Sequence, residues 1–134
     1  MDINFFAKWS SFFCFAVAAA IHFYFFILES YLYQKADGYK YFKVNPQDHK
    51  ATLIWAFNQG LYNLFLSVQM TIGLVFVRTG EPRLAGIIVG LSGIFMIIAG
   101  IALFVSAKHL RKGALVQLVP PTVGFLLLSL HIIR

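Results

Sequence analysis

Apolar residues run almost unbroken through four stretches of this chain, and short polar clusters separate them. The first stretch extends from about Phe5 to Tyr33 and carries no charge between Trp9 and Leu28, about the length that crosses a hydrocarbon core of roughly 30 Å. The others cover about residues 47–77, 84–107 and 114–132. Between the second and third stands Arg78-Thr79-Gly80-Glu81-Pro82-Arg83, whose Gly and Pro stop one helix and start the next. Lys108-His109-Leu110-Arg111-Lys112-Gly113 makes a basic turn before the fourth. The pattern predicts an all-α integral membrane four-helix bundle, up-down-up-down, as one domain over residues 1–134.

The longest connection, Gln34 to Lys50, holds Gly38-Tyr39-Lys40-Tyr41-Phe42-Lys43, an alternation of aromatic and basic residues expected to lie on a membrane surface. Asn45-Pro46-Gln47-Asp48 reads as a helix start, with Asn as N-cap, Pro at the first helical position and Asp where the dipole favours an anion. The third span carries Gly86, Gly90, Gly93 and Gly100 on one stripe, a spacing that lets helices pack closely. Pro120-Pro121 is expected to break or bend the fourth. The first span continues past about twenty residues with no small-residue cleavage site before a polar region, so it is expected to remain as a helix.

Composition agrees with the pattern. At 134 residues, 60% hydrophobic and only 12% charged, with mean hydropathy +0.77, the chain is not an ordinary soluble domain. The net charge of +6 sits in the connections rather than along one helix face, so it reads as topology signal and lipid-headgroup contact, not as a nucleic-acid surface. Lys35, Lys40, Lys43, Lys50, Lys108, Arg111 and Lys112 outnumber Lys8, Arg78, Arg83 and Arg134 on the other side. That bias puts the first and third connections in the cytoplasm and both termini outside. The single cysteine, Cys14, has no internal disulfide partner and lies in an apolar span.

Chemistry has few places to reside. Glu29 is the only acidic residue within an apolar span, and His22, seven positions earlier, falls on the same face of a regular α-helix. In the second span, Trp55-Ala56-Phe57-Asn58-Gln59-Gly60-Leu61-Tyr62-Asn63 concentrates amides that water does not reach at that depth. Trp55, Asn58, Tyr62 and Gln69 form one stripe, and Gln59, Asn63 and Ser67 a second about 100° away. One stripe is expected to line a cavity and the other to lock neighbouring helices or a second copy. Counted along antiparallel helices, His22 and Asn58 reach similar depths, roughly 16–18 Å, while Glu29 and Gln117 are shallower, roughly 8 Å. A polar cavity is therefore expected, deep at His22 and Asn58 and opening past Glu29 and Gln117 toward the basic connections. A metal site would need His49, His109 or His131 from the span ends beside His22 and Glu29, and none is expected. No cofactor motif is legible.

The segments His22-Phe-Tyr-Phe-Phe-Ile-Leu-Glu29, Asn58-Gln59-Gly60-Leu61-Tyr62-Asn63 and Val116-Gln117-Leu118-Val119-Pro120 resemble a family of small bacterial four-span membrane proteins, domain of unknown function thirteen-hundred-and-four. The likeness covers nearly the whole chain. It implies a multi-pass protein of the bacterial inner membrane in which His22, Glu29, Asn58, Gln59, Tyr62, Asn63 and Gln117 occupy motif positions, and it implies no activity.

Three functions stay open. The cavity can bind or transport a small polar or cationic solute with Glu29 as counter-charge and proton exchange at His22 or Glu29, which calls for a homo-oligomer because four helices are a thin wall. His22 and Glu29 can act as acid and base of a membrane enzyme on a lipid or other apolar substrate, with Asn58 or Tyr62 orienting it. Alternatively, the polar residues only set helix register in a structural or partner subunit. The expected ligand set is His22, Glu29, Trp55, Asn58, Gln59, Tyr62, Asn63 and Gln117, with membrane lipids, an unidentified small molecule and a second copy as partners.

Overall fold

The computed structural model describes residues 3–35 and 38–132, with side chains for 8–35 and 38–130. The side chain of His131 and residue Arg134 lie outside the described residues. Helix α1 (Ile3–Phe26) continues into a π-helical turn (Ile27–Leu32), and a short 3-10 turn (Gly38–Phe42) leads to α2 (His49–Thr79). Helix α3 (Pro82–Ser106) follows after a tight turn, and a second 3-10 turn (Lys108–Leu110) leads into α4 (Arg111–Ile132). All four are long and apolar enough to cross a membrane. The chain is a multi-pass membrane protein.

Each helix packs on the next and α4 closes back on α1, which makes an up-down-up-down square with little contact across the α1–α3 diagonal. Phe15, Ala18 and Ala19 of α1, Met70 and Leu74 of α2, and Val89 and Met96 of α3 fill the centre, with Phe125 and Leu128 of α4 against them. The helices approach closely where small residues receive large ones. Phe125 lies over Gly93, Leu118 over Gly100, and Phe15 over Gly124. The glycine stripe of α3 is thus divided: Gly93 and Gly100 receive α4, whereas Gly86 and Gly90 face open space.

The α2–α3 turn forms as its residues dictate. Gly80 adopts a left-handed conformation with φ 86°, the Glu81 N–H returns to the Phe76 carbonyl at 3.0 Å, and Pro82 opens α3, where a missing N–H costs no helical bond. At this end Arg78 also lies over the Trp9 ring, 5.5 Å from its centroid.

Two expectations about helix ends need correction. Asn45 does not cap α2; it starts a turn in which the Asp48 N–H bonds the Asn45 carbonyl at 2.9 Å, with Pro46 inside it, and α2 begins at His49. Pro at the second position of a four-residue turn satisfies the fixed φ as well as a helix start does. Pro120-Pro121 does not break α4, which stays helical from Arg111 to Ile132. Pro121 is buried in the bundle, so packing supports the helix where the two backbone donors are lost.

The first connection is also more tied down than a segment resting on a surface. Tyr33 Oη and Thr52 Oγ1 share a 2.6 Å hydrogen bond, and His49 Nε2 donates to the Tyr33 carbonyl at 2.7 Å. The His49 ring stacks 4.6 Å from Tyr39, and Phe42 meets Tyr33 edge-on at 5.4 Å. These contacts hold Tyr41, Phe42 and Lys43 at the end of the bundle, where they overhang the site described next.

Candidate functional site

The π turn sets the geometry. The Tyr33 N–H reaches back five residues to the Leu28 carbonyl at 2.8 Å, and the wider turn rotates every later residue of α1 relative to a regular helix. The seven-residue count that puts Glu29 on the His22 face assumes a regular α-helix, and Glu29 lies inside the π turn. Glu29 instead meets α2, where Asn63 Nδ2 donates to Glu29 Oε2 at 2.6 Å. Ser30 beside it donates through Oγ to the Phe57 carbonyl at 3.2 Å. This close approach depends on Gly60. A Cβ there would overlap Ser30 Oγ and stand 3.0 Å from the Ser30 nitrogen and 3.2 Å from Glu29 Cβ. Further along the helix, Ser67 Oγ donates to the Ala19 carbonyl at 2.8 Å. Gly60, Asn63 and Ser67 are all buried and form the seam of α2 against α1.

Above this seam a cavity of about 700 Å³ opens at the end of the bundle that carries the first connection and the α3–α4 turn. Glu29 and Gln117 line it together with Phe25, Leu28, Leu103 and His109, and Lys43, Lys108, Arg111 and Lys112 bring positive charge to its wall. Gln117 is only 6% exposed, and its amide makes no hydrogen bond to a described residue. An amide buried on a cavity wall with unused donors and acceptors is suited to a ligand or water. Arg111 is partly held, its Nε donating to the Phe104 carbonyl at 3.2 Å and its guanidinium lying over the Phe104 ring at 4.7 Å.

The structure brings together only part of the expected set. Glu29 and Gln117 share the cavity, Asn63 holds Glu29 from α2, and the mouth faces the basic connections. His22 is fully buried elsewhere, its Nδ1 2.9 Å from the Ala18 carbonyl and its ring against Phe25, and it does not line this cavity. Its Nε2 has no hydrogen-bond partner among the described residues. Asn58 does not meet His22 at mid-depth. Trp55, Asn58, Gln59 and Tyr62 all lie on the exposed side of α2, because the α1 seam is built on Gly60, Asn63 and Ser67 and turns the neighbouring stripe outward.

A family model described as a protein of unknown function, DUF1304, matches residues 16–129. The chain belongs to the DUF1304 family. No curated protein and no solved structure matches it. The matched segment of this DUF1304 chain includes every residue that lines the cavity, from Phe25 to Gln117.

Sequence reasoning missed two parts of the site. The basic connections are expected at the mouth of the cavity, but their topology signal hides Lys43, Lys108, Arg111 and Lys112 as part of its wall. In Tyr41-Phe42-Lys43 and in Lys108 to Lys112 charge stands beside apolar residues at span ends. Ser30 escapes notice because a lone serine near a span end has no pattern of its own.

Proposed function

We propose that this membrane protein binds a small polar solute in the cavity between Glu29, Gln117 and the basic wall, as the recognition step of transport or sensing. The observation that carries the reading is the amide of Gln117, a side chain only 6% exposed and without a partner among the described residues, lining the same cavity as Glu29. A bare cation suits this site poorly, because Lys43, Lys108, Arg111 and Lys112 surround the approach to the single carboxylate. A molecule with an anionic group toward the basic wall and a donor or cationic group toward Glu29, as in a zwitterion, matches both ends. The cavity volume is within the range that holds small ligands, about 300–1,000 Å³.

A specific feature supports a second reading. An apolar groove between α1 and α4, lined by Val17, Ala20, Ile21, Tyr24 and Val116, shares the walls Phe25 and Gly113 with the cavity. An amphiphile could lay its chain there and its headgroup among the polar residues, which fits a lipid ligand or a lipid substrate. With the basic connections in the cytoplasm of a bacterial inner membrane, the mouth opens to that side.

Native mass spectrometry of gently purified protein tests both readings. A bound small polar molecule supports the first and a bound amphiphile the second. Replacing Lys108, Arg111 and Lys112 by Gln is expected to weaken binding about tenfold or more and to lessen its dependence on salt, since exposed charges act through a field that salt screens. Equal affinity and an equal salt profile in the triple variant would refute the role of the basic wall.

A further inference from the structure

The outward half of the α2 motif is not used by the cavity. Asn58, Gln59 and Gln69 are exposed, Trp55 is 71% and Tyr62 60% exposed, and none of them hydrogen-bonds through its side chain to a described residue. Helix α2 has 31 residues and so is about 46 Å long, and the central 20 or so residues that fill a hydrocarbon core of roughly 30 Å include all five. Amides at that depth have neither water nor headgroups to bond, and a helix face that carries three of them is poorly solvated by lipid. Amide side chains facing the bilayer need a polar partner.

We propose that this face, Trp55, Asn58, Gln59, Tyr62 and Gln69, is the surface on which two copies of the chain pair in the membrane. The partner follows from symmetry and from the chemistry of the amide. The Lys and Arg bias of the first and third connections favours the same orientation in every copy, so a two-fold axis along the membrane normal brings the two α2 helices together in parallel, each residue level with its own counterpart. An amide carries both donor and acceptor, so Asn58, Gln59 and Gln69 each satisfy an identical residue at the same depth, whereas a face of lysines or glutamates would repel itself. Tyr62 and Trp55 supply apolar area around the amides with a polar tip apiece. The inward residues Gly60, Asn63 and Ser67 remain on α1, so pairing leaves the four-helix unit unchanged.

Two measurements on the full chain test the pairing. In a Cys14→Ala background, Tyr62→Cys is expected to form a disulfide-linked dimer in membranes under a mild oxidant. Ile94→Cys on α3 and Leu126→Cys on α4, both at exposed positions, are expected not to. Energy transfer between donor- and acceptor-labelled copies in lipid vesicles at low protein-to-lipid ratio reports association directly. The variant Asn58→Leu, Gln59→Leu, Gln69→Leu is expected to associate at least about tenfold more weakly than the original chain, with unchanged helix content. A chain that stays monomeric across protein-to-lipid ratios, cross-linking that favours the α3 or α4 positions, or association unchanged in the triple variant would each overturn the proposal.

Discussion

Gly60→Val is expected to leave little correctly packed bundle. The position has no room: a β-carbon alone overlaps Ser30 Oγ and comes within 3.0 Å of the Ser30 backbone nitrogen. The serine hydroxyl can turn away, but the backbone of the π turn moves only if α1 and α2 separate. One methyl forced into such a contact costs about 1–3 kcal/mol, and the two γ-carbons of valine add to it. Separation also pulls Asn63 away from Glu29 and Ser30 away from the Phe57 carbonyl. Thermal unfolding in detergent, followed by tryptophan fluorescence, should show a lower midpoint for Gly60→Ala and no cooperative transition for Gly60→Val. Gly86→Val is the matched control, because a β-carbon at Gly86 would have no atom within 4 Å. Exposed substitutions of that kind change stability by about 0.5 kcal/mol or less. Should Gly60→Val unfold like the control, the close α1–α2 approach is not what holds this end of the bundle.

Glu29→Gln is expected to empty the cavity while leaving the bundle intact. Glutamine keeps the size of the side chain and an oxygen for Asn63 Nδ2, whose 2.6 Å bond to Oε2 fixes the residue against α2. What it removes is the negative charge that a donor or cationic group of the solute would meet. A hydrogen bond to a charged group is worth about 1.5–3 kcal/mol, which corresponds to roughly 10–150-fold in affinity. Native mass spectrometry of the original chain and the variant, prepared identically, reads this as lost occupancy at an unchanged thermal midpoint. Asn63→Ala separates positioning from charge: the carboxylate remains but loses its hydrogen bond, so both the midpoint and the occupancy should fall. If Glu29→Gln lowers the midpoint and leaves occupancy alone, the residue is an interhelical contact and the binding reading fails.

These contrasts depend on α2 having two polar faces, and the sequence could show that two existed without showing which turns inward. Asn58-Gln59-Gly60-Leu61-Tyr62-Asn63 is legible as an unusual run in an apolar span, and helical spacing separates the stripe of Asn63 and Ser67 from that of Asn58 and Tyr62. Choosing between them required the partner surface. Glycine at position 60 admits α1 to within backbone contact, and once that approach is made Asn63 and Ser67 have carboxylate and carbonyl acceptors while Asn58 and Tyr62 point away.

By itself the sequence determined the four spans, their antiparallel order and most of their ends, because bilayer length, uninterrupted apolarity and Gly or Pro punctuation act locally on each segment. It also located Glu29 and Gln117 near one end of the bundle, since residue counts along helices of known rise translate directly into depth. The tertiary structure decided rotation. Glu29 in the π turn at Ile27–Leu32 meets Asn63 of α2, the tied first connection brings Lys43 over the cavity, and the packing of α4 keeps Pro120-Pro121 helical. Depth accumulates residue by residue within one helix; the angle about its axis is set by whichever neighbouring backbone can come closest.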